Sequence, residues 1–186
     1  MKLRFTSAAS ILVAMSELDE FWSDQLTDAA EQARSTGRAD VADFLSLKAE
    51  NDAVRSASIA NLFDSIIAAA MSDEYRNKNI LIEREAPHSF LHRNANLVGS
   101  LIRLRLGVRC MTVEAGWTRT PSDGFMRLQA LAFARISHFG IQEANMELVL
   151  QTHDPDRQWK IVRREAVEGI FAERDIDTHI AVLIGD

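Results

Sequence analysis

Residues 101–115 read Leu-Ile-Arg-Leu-Arg-Leu-Gly-Val-Arg-Cys-Met-Thr-Val-Glu-Ala. Apolar and polar residues alternate through this stretch, which is typical of a β-strand with one buried face. The alternation slips by one residue near Arg109–Cys110. Such a slip indicates either a bulge at that point or a turn at Gly107 that divides the stretch into two strands of a hairpin.

The chain on both sides of this stretch also has the character of short strands. Turn-forming residues recur at Gly140 and at Asp154-Pro155-Asp156. Such close spacing favours antiparallel neighbours over crossover helices. His138 falls on the apolar side of its segment, which predicts a buried histidine. The further predicted strands are 80–85, 131–139, 146–151, 158–163 and 178–184, and a short helix is predicted over 165–171.

The N-terminal part of the chain has a different character. Fifteen of the 25 alanines lie in the first 70 residues, and Gly37 is the only glycine or proline before Pro87. Alanine without helix breakers favours helix. An apolar stripe near period 3.6 predicts a first helix over about 7–35, and a second begins near Asp40. A reversal at Gly37 makes the pair an antiparallel hairpin.

These patterns predict an α+β protein. We expect a long helical hairpin over residues 1–75, followed by an antiparallel β-rich region over 76–186 with one short helix. The hairpin is expected to cover part of the sheet, so that both regions form one continuous domain. Because so long a hairpin has more apolar face than one partner covers, it is also a candidate surface for self-association.

Charge is distributed unevenly along the chain. The formal net charge is −6. Residues 1–75 carry six basic and 13 acidic side chains, whereas residues 84–135 carry eight arginines against three acids. An acidic protein has no general attraction to nucleic acid or anionic lipid. A local field of arginines can still hold a phosphate or a carboxylate.

The chain gives no sign of membrane insertion or disulfide bonding. No apolar run approaches the ~20 residues that span a bilayer, and Cys110 is the only cysteine. Lys2 and Arg4 precede a short apolar stretch that superficially resembles a signal peptide. Serines interrupt that stretch and its apolar positions continue into the predicted helix, so we expect a cytoplasmic protein.

Three arginines on the central strand are the first candidate site. On an extended chain Arg103, Arg105 and Arg109 project from the same side. Guanidinium groups are not buried without partners. They either pair with nearby glutamates or hold an anionic ligand.

The loop Gly116–Gly124 is the second candidate. Trp117, Arg119 and Asp123 place an aromatic ring, a guanidinium and a carboxylate on one connection. Loops often carry binding residues. If a ligand binds there, Arg119 holds its anionic group and Trp117 stacks or packs against it. Pro-Ser-Asp-Gly is equally good turn chemistry, so a purely structural role is the alternative.

Acids and histidines before the central strand permit a third interpretation. His88 and His92 are four residues apart, as metal ligands on a helix can be, and three glutamates could add oxygen ligands. Pro87 makes a helix there uncertain, and no His-Glu-x-x-His motif is present. The glutamates are Glu83, Glu85 and Glu114.

The sequence therefore favours a non-catalytic binding or assembly module. We expect it to hold an anionic small molecule or an acidic protein partner through the arginine-rich β surface and the Gly116–Gly124 loop. Nucleic acid is less favoured because only Trp117 and Phe139 are nearby stacking candidates. The alternative is a metal-dependent hydrolase, for example a phosphoesterase or nuclease, that uses the glutamates and histidines. No cofactor is identified.

Overall fold

The structure is a computed structural model that describes residues 24–185. The chain divides into two compact units between Ser56 and Ala57. The predicted start of the first helix, over residues 7–23, lies outside the described residues. The predicted domain limits at 75 and 76 stay a prediction.

Two helices form the predicted hairpin. Helix α1 is described over residues 24–35, and helix α2 runs over Ala39–Ala70. Arg34 of α1 donates a hydrogen bond to the Ser46 hydroxyl of α2 at 2.9 Å. Helix α2 is continuous through its polar middle. Among the helices described, none is both long and apolar enough to cross a membrane.

The described chain continues as one antiparallel sheet of seven strands, in which each strand pairs with the next along the sequence. Helix α3 follows at Glu173–Ile184. This arrangement confirms the predicted α+β class. The strands are β1 (Leu81–His92), β2 (Ala95–Leu106), β3 (Arg109–Trp117), β4 (Ala130–His138), β5 (Met146–Gln151), β6 (Trp159–Arg163) and β7 (Ala166–Ile170).

The slip in alternation is a hairpin turn, so the bulge interpretation is wrong. Leu106 pairs with Arg109, and Gly107-Val108 connects β2 to β3. Gly107 has a φ of +59°. Two-residue hairpin turns with glycine at the first central position have this geometry, because the left-handed region carries no Cβ penalty for glycine.

Two predictions near the C-terminus are wrong. Residues 165–171 are not a helix, since Ala166–Ile170 is the edge strand β7 and is exposed at all five positions. Residues 178–184 are not a strand, because they belong to α3. The buried residues Ile176, Ile180 and Leu183 follow helical spacing of four and three, which overrides the local alternation.

Strand register defines two faces of the sheet. We call one the covered face; its central side chains are fully buried, as Ile102, Val113, Ile136 and Leu148 show. Arg84 and Trp159 share this face and make hydrogen bonds to α2. The Arg84 guanidinium donates to Asp64 at 2.9 Å and the Trp159 indole to the Ser58 carbonyl at 3.1 Å. The C-terminal half of α2 therefore lies over this face.

We call the second face the open face. Its two ends carry different kinds of side chain. Near the β1–β2 turn it holds a small apolar cluster, against which Met126, Leu128 and Ala130 pack. Toward the β2–β3 turn it holds the charged or hydroxylated side chains of Glu83, Arg103, Thr112 and Ser137. The cluster consists of Phe90, Ala95, Leu97, Phe133, Val149 and Val162.

The open face depends on a close approach of β2 and β3. Gly99 and Gly116 are direct cross-strand partners. A Cβ on Gly99 would collide with the backbone of Ala115 and Gly116, and one on Gly116 would lie 2.9 Å from the Val98 carbonyl. Both positions therefore require glycine for space.

We expect Gly99→Ala to destabilise the protein by about 1–3 kcal/mol, as overpacking against rigid backbone does. Gly169→Ala is the matched control, since a Cβ there meets nothing within 4 Å. It should change stability by less than about 0.5 kcal/mol. Urea unfolding of both variants measures the difference, and equal stabilities would contradict the close approach.

Two histidines are buried together between β4 and α3, which confirms the predicted burial of His138. His138 Nε2 lies 3.0 Å from His179 Nδ1. Within the described residues, His179 Nε2 is buried without a hydrogen-bond partner. Burial, with a smaller contribution from His138, lowers the pKa of His179 from 6.5 to about 4. Burial also lowers the pKa of His138, so both imidazoles are neutral near pH 7.

This pair predicts a loss of stability in acid. The unfolded chain binds a proton at His179 below about pH 6.5, whereas the folded chain does so only near pH 4. Stability should thus fall as pH decreases from 6.5 toward 4, by up to about 1.4 kcal/mol per pH unit from this group. In His179→Gln the slope of unfolding free energy against pH should be shallower. Superimposable slopes would contradict the assignment.

Candidate functional site

Four strands align polar side chains in one row on the open face. Glu83, Arg103, Thr112 and Ser137 are consecutive cross-strand partners on β1, β2, β3 and β4. Cross-strand partners have Cβ atoms about 4.5–5.5 Å apart, so these groups are neighbours. Arg105 lies two residues beyond Arg103 on the same face.

Two arginines in this region share one carboxylate. Arg103 Nη1 donates to Glu83 Oε2 at 3.3 Å, and Arg105 Nε lies 3.6 Å from the same oxygen. Within residues 24–185, the Arg105 side chain makes no hydrogen bond, and it is 49% exposed. We call Arg103, Arg105, Thr112 and Ser137 the arginine corner.

A second polar network lies beside the corner. Glu114 accepts from Arg135 Nε at 3.0 Å and faces His88 Nε2 at 2.9 Å. His88 Nδ1 lies 3.1 Å from Glu85. Because carboxylates only accept hydrogen bonds, the ring donates to both only as an imidazolium. Both ring nitrogens are in contact with carboxylates, and Glu114 and His88 are mostly buried.

The structure separates Arg109 from the other two predicted arginines. The two-residue turn places Arg109 opposite Leu106, on the face away from Arg105. Its guanidinium lies against Gly185, where a Cβ would collide with it. A cation at the C-terminal end of α3 is favourably placed against the helix dipole. The expectation that the three arginines project from one side is wrong, because it assumes an uninterrupted strand.

The Gly116–Gly124 loop does not meet the arginine corner. Thr112, the residue that β3 contributes to the corner, lies five residues from Trp117, about 17 Å away at ~3.3 Å per residue. Trp117 is buried, and the Arg119 guanidinium stacks on its ring at 3.7 Å. The two candidate segments are therefore separate places in the fold.

Asp123 organises that loop. Its Oδ2 accepts from the backbone N–H groups of Thr120 and Arg119 at 2.8 and 3.1 Å, and from the Thr120 hydroxyl at 3.0 Å. The Thr120 hydrogen bonds are the main reason why the pKa of Asp123 lies below its usual range. These contacts give the carboxylate a structural role in the turn.

The structure brings together only some of the predicted metal ligands. Glu85, His88 and Glu114 meet, whereas Glu83 pairs with the arginines of the corner. His92 is buried in the apolar cluster, with its ring stacked on Phe133 at 4.3 Å. In the part of the chain that the structure describes, no group of three or more such side chains is arranged to hold a metal ion.

Sequence reasoning missed one charged cluster. Arg93 and Arg127 both form ion pairs with Glu165. These residues lie in three different connections, up to 72 positions apart. No local pattern signals their contact, since it depends on how the turns are brought together by the sheet.

Comparison with known proteins identifies no relative: no protein-family model, curated protein or solved structure matches this chain.

Proposed function

We propose that this protein is a non-catalytic binding module that holds an anionic group at the arginine corner. The observation that supports the proposal most directly is Arg105, whose guanidinium is half-exposed and makes no hydrogen bond within the described chain. An arginine has five N–H donors in a planar fork that matches carboxylate and phosphate oxygens.

Local charge favours an anion at this place. Two guanidinium groups are balanced by the single carboxylate of Glu83, so the group of three has a net charge of +1. Thr112 and Ser137 add hydroxyl groups in the same row. Hydroxyls donate to an anion and bring no opposing charge.

The ligand class is a phosphate or a carboxylate, on an anionic small molecule or on an acidic protein partner. The open face is part of a sheet, which suits an extended partner surface. Nucleic acid is less favoured because the overall charge of −6 gives no long-range attraction. We also propose that the protein is cytoplasmic.

The hydrolase interpretation stays an alternative. Its support is the convergence of Glu85, His88 and Glu114. A metal ion would have to separate the imidazole from two carboxylates before binding. Hydrolysis of a phosphodiester probe that is abolished in His88→Ala would favour the enzyme over the binding module.

Arg105→Ala should weaken binding of inorganic phosphate by about tenfold or more, the usual consequence of losing a charge-assisted contact. Amide shifts of Thr112 and Ser137 in NMR titrations of the full chain measure the affinity. Arg76→Ala is the matched control, since this exposed arginine pairs only weakly with Asp73 at 3.6 Å. Equal weakening in both variants, or no change in Arg105→Ala, would refute the proposal.

Self-association is the second part of the proposed module. Phe44 and Leu47 lie three residues apart on α2 and are 65% and 57% exposed. Residues with this spacing share a helix face. Together they form an apolar surface on the hairpin that suits a second copy of the chain.

Light scattering should therefore give a mass above the monomer's 20.8 kDa. The double variant Phe44→Glu/Leu47→Glu should return the mass to that of a monomer, because it places charges in the contact. Val108→Glu is the control, as Val108 is exposed elsewhere, in the β2–β3 turn. A wild-type protein that stays monomeric at all concentrations would contradict self-association.

A further inference from the structure

A small cavity lies at the end of the sheet away from the arginine corner. It encloses about 80 Å³ between the β1–β2 turn, residues 125–128 and the β6–β7 turn. Apolar side chains of Met126, Leu128, Phe133 and Val162 form one part of its wall. An engineered apolar cavity of about 150 Å³ accommodates benzene, so this one suits a smaller molecule.

The polar part of the wall is basic. Arg93 and Arg127 line the cavity, and both contact Glu165, with Arg127 Nη1 3.3 Å from Glu165 Oε2. Two guanidinium groups thus share one carboxylate of the same chain. Arg127 and Glu165 are 68% and 60% exposed, and ion pairs between exposed side chains contribute little free energy because solvent screens them. A competing carboxylate can displace Glu165.

His92 adds an independent observation. Its side chain is nine-tenths buried, and it lines the cavity. Among the residues described, its imidazole makes no hydrogen bond, and the nearest ionic contact of the ring is Glu147 at 4.0 Å. The ring nitrogens of His92 are therefore available for a hydrogen bond to a ligand or a solvent molecule.

The connections around the cavity also adopt unusual backbone conformations. Arg93, Leu128 and Glu165 have φ angles of +56°, +60° and +68°. Non-glycine residues rarely occupy this region, and such strain is concentrated at binding sites. All three side chains line the cavity.

We propose that this cavity binds a short-chain carboxylate. One carboxylate oxygen accepts from the guanidinium groups of Arg93 and Arg127 in place of Glu165, and the other accepts from the His92 imidazole. The apolar chain lies against Phe133 and Val162. The volume limits that chain to about three or four carbons. The site is separate from the arginine corner, so it stands or fails independently of the proposed function.

The test is an NMR titration of the full-length protein with butyrate, using the matched cation n-butylammonium as the control ligand. Amide shifts should be confined to residues 92–95, 125–128 and 162–165, and butylammonium should produce none. Arg127→Ala should weaken butyrate binding by about tenfold or more. Shifts of equal size with both ligands would overturn the proposal.

A second variant tests the competition directly. Glu165→Gln removes the internal carboxylate and should tighten butyrate binding several-fold, whereas loss of a merely structural ion pair would not. Glu168→Gln is the control, because Glu168 pairs with Arg163 at 3.5 Å within the same β6–β7 hairpin and does not line the cavity. Unchanged or weaker binding in Glu165→Gln would refute the site, provided that thermal melting shows both variants folded.

Discussion

Helices cover one face of a seven-stranded sheet, and the rest of the described structure follows from that asymmetry. The covered face excludes water, so its side chains are apolar and fully buried. Among residues 57–185, no helix lies over the opposite face. At one end of this face, residues 126–130 pack against its apolar side chains. At the other end, its charged side chains form ion pairs across neighbouring strands.

One charged arrangement occurs twice, once on the open face and once in the connections at the other end of the sheet. Arg103 and Arg105 share Glu83, and Arg93 and Arg127 share Glu165. Each group of three has one more positive charge than negative. The side chains of Glu165 and Glu83 are 60% and 44% exposed, so their ion pairs with the arginines are weak. They hold the guanidinium groups in place, and an incoming anion displaces them at little cost in free energy. Both proposed sites use this property.

Much of the fold could be predicted because it is recorded in local periodicity. The segment 146–151 between two turn signals is predicted as a strand, and β5 has these limits; alanine without breakers predicts the hairpin. The local pattern predicted the wrong structure for residues 178–184, where tertiary packing determines the conformation. Burial of Ile176, Ile180 and Leu183 on one side makes residues 173–184 a helix. The candidate site was harder to predict than the fold. A two-residue turn places Arg109 on the other face, and the length of β3 separates Arg105 from Trp117. Contacts such as Arg93–Glu165 depend on the assembled sheet and leave no sequence signal.

The claim that one face is open and the other covered is tested most directly by thiol labelling of single cysteines in a Cys110→Ser background. Ser137→Cys places the thiol on the open face, and Val113→Cys places it beneath the helices. In the folded protein the first should react with a thiol reagent at least about a hundredfold faster than the second, since labelling of a fully buried thiol requires unfolding. Equal protection of the two thiols, or faster labelling of Val113→Cys, would contradict the account.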